Sequence, residues 1–247
     1  MGPYPQVVDW NSDGKKDLIA GDAKGNVTLF LNIGTDKEPE LEKGRLVEAD
    51  GKPISGQSQT SKEIVKTRKF RSALVVVSRT TVVDKTIPAS HELADGNSRI
   101  HVADWDGDGL KDLLVGHMRT IILYKNVGTQ SAPRLQAPVL IEPPEGSFPC
   151  TPSPYVVDWD GDGRNDLLAG GEGPRCVFYR NVGSNEKPKL AAGKRLDFKE
   201  PAGGAGYVWR LEVTDWNNDG KKDLLVGNRW YDAKPSSGGN IWLFLAE

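Results

Sequence analysis

One fourteen-residue segment occurs four times in the 247-residue chain, and this repeat limits the folds open to it. The copies begin at Val8 (VDWNSDGKKDLIAG), Ala103 (ADWDGDGLKDLLVG), Val157 (VDWDGDGRNDLLAG) and Thr214 (TDWNNDGKKDLLVG). Their first aspartates, Asp9, Asp104, Asp158 and Asp215, are separated by 95, 54 and 57 residues. Each copy runs on through a variable loop into an alternating strand: Asn26–Leu31, Thr120–Lys125, Cys176–Arg180 and Asn240–Leu245. Three copies then read Asn-(Ile/Val)-Gly-(Thr/Ser), at Asn32, Asn126 and Asn181, followed by a Pro and a Leu in the same order. With 28 Gly, 16 Pro and no long helical period, a unit of short strands and Gly-rich turns reads as a propeller blade.

The expected fold is all-β: one β-propeller domain over residues 1–247, with four-stranded antiparallel blades. The units run from about 5–55, 99–150, 153–205 and 208–247. In each, an inner strand ends at the first Asp, the acidic loop turns the chain, and Asp-Leu-(Leu/Ile)-(Val/Ala)-Gly runs back. Trp10, Trp105, Trp159 and Trp216 share one repeat position and are expected to pack between blades. Residues 56–98 are an insertion or a degenerate blade, so five blades or a truncated larger ring stay open. The last unit stops after its third strand.

The acidic loop offers side-chain oxygens at positions 1, 3, 5 and 9 and a backbone carbonyl at position 7. The donors are Asp9, Asn11, Asp13, Lys15 and Asp17; Asp104, Asp106, Asp108, Leu110 and Asp112; Asp158, Asp160, Asp162, Arg164 and Asp166; Asp215, Asn217, Asp219, Lys221 and Asp223. Position 6 is Gly in every copy, where the turn is sharpest. Hard oxygen donors without Cys or His select Ca²⁺, in about four structural sites. An EF-hand would need a Glu at position 12 and a following helix. Position 12 instead holds Ala20, Val115, Ala169 and Val226, and the chain continues as a strand.

With these residues the sequence resembles the FG-GAP/VCBS repeat propellers, the calcium-loop family that includes the integrin α-chain head. The resemblance implies that the metal is structural and pins the turn between the first two strands of each blade.

Function is expected on the opposite rim, where the repeats differ. His101 and Tyr155 lie three residues before a first Asp, and His117, Arg119 and Arg175 lie in the loops after the second strand. His, Tyr and Arg are the groups that β-elimination from a uronic acid needs: a base for the C5 proton, an acid for the leaving oxygen, and a cation for the carboxylate. This set is similar to the active sites of propeller-type polysaccharide lyases, the ulvan and rhamnose–glucuronate lyases. The resemblance implies His117 as base, Tyr155 as acid, and Arg175 with His101 on the carboxylate. Arg119, Trp209, Arg229, Trp230 and Tyr231 are candidate substrate contacts. Non-catalytic glycan binding and protein adhesion are the competing readings.

Thirty-two basic against 34 acidic residues give a net charge of −2, which removes the usual argument for nucleic acid or a polybasic membrane contact. No apolar run is long enough to span a bilayer. The lyase resemblance implies an extracellular, uronate-containing glycan as partner, and the chain is expected to be a monomer. No signal peptide is visible, yet the calcium loops favour a secreted, cell-surface or periplasmic protein. Cys150 and Cys176 fall on one blade, where a disulfide and two free thiols are both open.

Overall fold

The computed structural model describes residues 4–55, 63–70, 73–81, 98–145, 148–172, 176–197, 207–231, 237–238 and 240–246, and none of these is helical. Blade 1 is β1 (Tyr4–Val8), β2 (Asp17–Gly21), β3 (Val27–Phe30) and β4 (Arg45–Leu46), antiparallel in chain order. Two hairpins follow, β5 (Glu48–Ala49) with β6 (Lys52–Pro53) and β7 (Glu63–Phe70) with β8 (Ala73–Thr81). Blade 2 is β9 (Arg99–Ala103), β10 (Asp112–His117), β11 (Thr120–Tyr124) and β12 (Val139–Ile141). Blade 3 is β13 (Cys150–Val157), β14 (Asp166–Glu172), β15 (Cys176–Tyr179) and β16 (Lys194–Arg195). Blade 4 has β17 (Tyr207–Thr214) and β18 (Asp223–Tyr231); β19 (Ser237–Gly238) pairs with the far end of β18, and β20 (Ile241–Phe244) is its third strand. Four antiparallel sheets thus form a four-bladed β-propeller. Among the described residues, 56–98 supply a hairpin rather than a fifth four-stranded blade.

The blades share one register. Five residues before each first Asp, the inner strand faces the Gly of the Asp-Leu-(Leu/Ile)-(Val/Ala)-Gly run in the second strand: Tyr4 with Gly21, Arg99 with Gly116, Ser153 with Gly170, Arg210 with Gly227. The core lies in the seams between successive blades. In β10, Leu113 and Val115 pack with Trp10 and Ile19 of blade 1, whereas Leu114 packs with Val156 and Leu167 of blade 3. A strand buried on both faces needs an unbroken apolar run, which explains Asp-Leu-Leu-Val rather than alternation.

Three features recur at each internal seam. A Cβ on Gly21, Gly116 or Gly170 would meet the carbonyl oxygen of Ser98, Pro152 or Trp209 in the next inner strand, at 2.0, 1.8 and 2.4 Å. Trp10 and Trp105 are buried against the following blade, and Trp159 packs against the blade 3–4 core. Val102 and Val156 are buried from the other side, at 6% and 9% exposure. All three features lapse between blade 4 and blade 1. Gly227 faces open space, Trp216 is 59% exposed and Val7 is 62% exposed.

The two cysteines are free thiols. Cys176 pairs with Gly170 and Cys150 with Glu172, so β14 separates them. Two strand spacings amount to roughly 9.5 Å, beyond disulfide reach. Burial pushes the Cys176 thiol up to about 12.

Candidate functional site

Each acidic loop is folded by its own carboxylates. The first Asp accepts backbone N–H groups from positions 5 and 6: Asp13 and Gly14 donate to Asp9 at 3.1 and 3.0 Å, and Asp219 and Gly220 to Asp215 at 3.0 and 2.9 Å. Blades 2 and 3 repeat the pattern at Asp104 and Asp158. The glycine at position 6 has φ of +83° to +85° in all four copies, a left-handed turn that aims these amides inward. The Asp at position 9 is buried and holds the blade together. Asp17 accepts Trp10 N and Asn32 N, Asp112 accepts Trp105 N and Asn126 N, and Asp166 accepts Trp159 N and Asn181 N. Burial raises the Asp112 carboxyl to about 6 and pushes Asp166 upward too. The recurrent Asn continues this network: Asn32 Oδ1 accepts Gly34 N and Glu40 N, both at 3.0 Å, which closes the turn after the third strand.

The carboxylate oxygens of Asp104, Asp106 and Asp108, and those of Asp158, Asp160 and Asp166, lie within 4.8 Å of one another. This all-oxygen donor set fits a hard divalent cation. The loops fall into two kinds. Position 3 is Asn in blades 1 and 4, where Leu31 and Leu245 occupy the place after the third strand. It is Asp in blades 2 and 3, where that place holds Lys125 and Arg180. Lys125 pairs with Asp106 and, at 3.2 Å, with Asp108. Arg180 pairs with Asp160 at 2.6 Å and Asp162 at 2.8 Å, and Arg164 also pairs with Asp162. Each added carboxylate is matched by a tethered cation.

Of the residues singled out for β-elimination, His101 and Tyr155 meet, His117 lies on the other face of its sheet, and Arg175 lies outside the described residues. His101 sits in the middle of β9 rather than at the rim, because the inner strand begins two residues earlier, at Arg99. It is buried against the Tyr155 ring at 4.3 Å and bonded to the Val156 backbone, and burial lowers its pKa to about 4. The same position in blade 1, Gln6, exchanges hydrogen bonds with the Val102 backbone at 2.7 and 3.3 Å. In blade 3 the Tyr155 hydroxyl donates to Glu212 Oε1 at 3.0 Å, with the Val213 carbonyl 3.2 Å away. The three residues are therefore one recurring polar bridge across the seams. Burial and Glu212 raise the Tyr155 hydroxyl to about 12.

His117 ends β10, three residues past Leu114, the partner of His101, so the two histidines lie on opposite faces of blade 2. Arg119 is exposed in the following turn. Trp209 is buried against Phe244 at 6.0 Å and offers no open ring face to a sugar. Arg175 and the side chains of Arg229, Trp230 and Tyr231 lie outside the described residues.

A groove of about 1300 Å³ opens elsewhere, between the outer parts of blades 1 and 2. The β5–β6 hairpin creates it by docking on blade 2: Ala49 bridges Leu135, and Asp50 N donates to the Leu135 carbonyl at 2.9 Å. Arg45, Glu48, Asp50, Arg134 and Gln136 line it together with Leu46, Pro133, Pro138 and Val139, and Trp10 is also in its wall. The sequence signal for the hairpin is Asp50-Gly51, both at positive φ as a two-residue turn requires. Nothing in the sequence says that this hairpin reaches blade 2.

The sequence matches the FG-GAP-like repeat family over residues 104–169 and 158–226. No curated protein matches the chain. Among solved structures, the Tc holotoxin pore of Photorhabdus luminescens is 18% identical, with a TM-score of 0.42 over 97% of this chain and 9% of that one. An Agrocybe aegerita lectin described as recognising non-reducing terminal N-acetylglucosamine is 17% identical, with a TM-score of 0.39 over 98% of this chain and 65% of that one. The chain thus spans less than two thirds of either protein. Matched loops, shared register and four antiparallel sheets together make this chain a four-bladed β-propeller that carries FG-GAP-like repeats.

Proposed function

We propose that the chain is a calcium-stabilised propeller module that works outside the cytosol and binds a glycan without cleaving it. The observation that carries this reading is the groove between blades 1 and 2. It sets the acids Glu48 and Asp50 and the bases Arg45 and Arg134 beside apolar surface from Leu46, Pro133, Pro138 and Val139. Sugar hydroxyls take hydrogen bonds from Arg and give them to carboxylates, and the apolar ring face rests on aliphatic side chains. Calcium in the four acidic loops would hold the rim through positions 1, 3, 5 and 9, and neutralise the charge crowded there. Catalysis is left out because His101 and Tyr155 are taken up in seam contacts and His117 faces away from both.

Affinity electrophoresis of the calcium-loaded chain through immobilised polysaccharides tests this. Retardation by one glycan, weakened about tenfold in Glu48→Ala and Arg134→Ala, is the expected result. Absorbance near 235 nm, where an unsaturated uronate product absorbs, should stay flat. Unretarded migration on every glycan, or retardation that ignores both substitutions, would sink the groove reading. A rise at 235 nm would restore the lyase.

A further inference from the structure

We propose that the inner end of the rim opposite the acidic loops is a carboxylate-binding site built on Arg99 and Arg210. These residues occupy the same register position in blades 2 and 4, and Tyr4 holds it in blade 1. Both guanidinium groups lie over the Tyr4 ring, Arg210 Cζ at 3.9 Å and Arg99 Cζ at 5.7 Å from its centroid. Blades 1, 2 and 4 meet here, and blade 3 joins them through the Thr151 carbonyl, which accepts a hydrogen bond from Arg99 Nη1.

Arg99 is 1% exposed, yet its Nε and Nη2 have no hydrogen-bond partner. Those two nitrogens form one edge of the guanidinium plane, with parallel N–H groups spaced like the two oxygens of a carboxylate. The hydroxyl of Thr151, the residue whose carbonyl takes the Nη1 bond, is also buried without a partner. Among the described residues, no carboxylate lies within ion-pair distance of either arginine. Burial lowers the Arg99 pKa, the neighbouring Tyr4 hydroxyl works against that shift, Arg210 repels the charge, and Glu172 acts on it only at longer range. Two like charges, one of them almost dry and with an unused donor edge, favour an anion from solution.

A planar monoanion fits this edge better than a tetrahedral one, since only two parallel donors are on offer. Arg210 is exposed whereas Tyr4 is buried, so Arg210 is the group that moves to admit the ligand. The ligand is either a small free carboxylate or the uronic-acid residue of a glycan. The site is separate from the blade 1–2 groove and does not depend on the reading of that groove.

Calorimetric titration of the calcium-loaded chain at fixed ionic strength tests the proposal, with sodium acetate, sodium glucuronate, sodium phosphate and glucose as ligands. Acetate and glucuronate should saturate the protein, and glucose should not bind. Glucuronate binding at least tenfold tighter than acetate assigns the site to a uronic acid, and equal binding assigns it to a small carboxylate. Arg210→Met, a change at an exposed residue, should weaken both about tenfold, and Arg99→Met should abolish them. Glu172→Gln should tighten them by removing a competing charge. Glu48→Ala and Arg134→Ala in the groove should leave acetate binding unchanged, so the two sites fail or succeed separately. Absence of saturable uptake, undiminished binding in Arg210→Met, or phosphate binding as tightly as acetate would overturn the proposal.

Discussion

His101 illustrates how burial assigns a role to a residue. Imidazole is the usual base near neutrality, but a ring packed on Tyr155 and bonded to the Val156 backbone, with its pKa held near 4, is a neutral seam element. Between pH 6.5 and 4 the unfolded chain binds a proton that the folded chain refuses, so His101 makes stability fall as pH falls. The shift corresponds to about 3 kcal/mol across that window. Asp112, raised to about 6, works in the opposite direction, so the comparison must be between variants. Urea melts from pH 7.5 to 4 should show a shallower pH dependence in His101→Phe than in the parent chain. A parallel loss in both would mean that His101 is protonated in the fold. The tethered cations make a second prediction. Lys125→Met and Arg180→Met should lower the melting temperature in EDTA, because four carboxylates each lose a counter-charge. With calcium the same variants should show a larger rise than the parent, since the metal no longer competes with an ammonium or guanidinium. A smaller rise would make these side chains supports of the ion rather than rivals to it.

At the scale of the element, the second strand of each blade carries most of the constraint. It starts at a buried Asp that accepts two backbone amides and, four residues on, carries a Gly that in blades 1 to 3 is pressed against the next blade. Asp166→Ala orphans Trp159 N and Asn181 N and should cost about 3 kcal/mol by denaturant unfolding. Gly116→Ala would drive its methyl into the Pro152 carbonyl at 1.8 Å, backbone against backbone, and should cost about 3 kcal/mol or more. Gly227→Ala meets nothing within 4 Å and should change stability by less than about 0.5 kcal/mol. Equal effects from the two glycine substitutions would refute the seam geometry. The elements themselves were legible in sequence because each obeys a local rule: an Asp-Gly turn, a doubly buried apolar run, an Asn that closes the following turn. The position of His101 was not. A strand's first residue depends on how far its partner continues, and β10 continues to His117.

Across the whole molecule, one seam differs from the other three. Trp105→Ala opens a cavity in the blade 2–3 core and should cost about 3–5 kcal/mol, whereas Trp216→Ala, 59% exposed at the same repeat position, should cost less than about 1 kcal/mol. Thermal melts of the two variants decide this, and equal losses would mean that blade 4 is covered in solution. Chelation should lower the melting temperature of the whole chain together, because the blades are coupled through their seams.

The repeat in the sequence determined the blades, their strand order, the acidic loops and the packing role of Trp10, Trp105 and Trp159. These follow from contacts within one unit or between equivalent positions of adjacent units, which periodic residues encode directly. Only the tertiary structure decided which polar residues meet. It put His101 and His117 on opposite faces of one sheet, brought Tyr4, Arg99 and Arg210 together from three blades, and laid the β5–β6 hairpin along blade 2. Those meetings depend on side-chain parity and on the angle between sheets, and each sums small geometric terms over many residues that no single motif records.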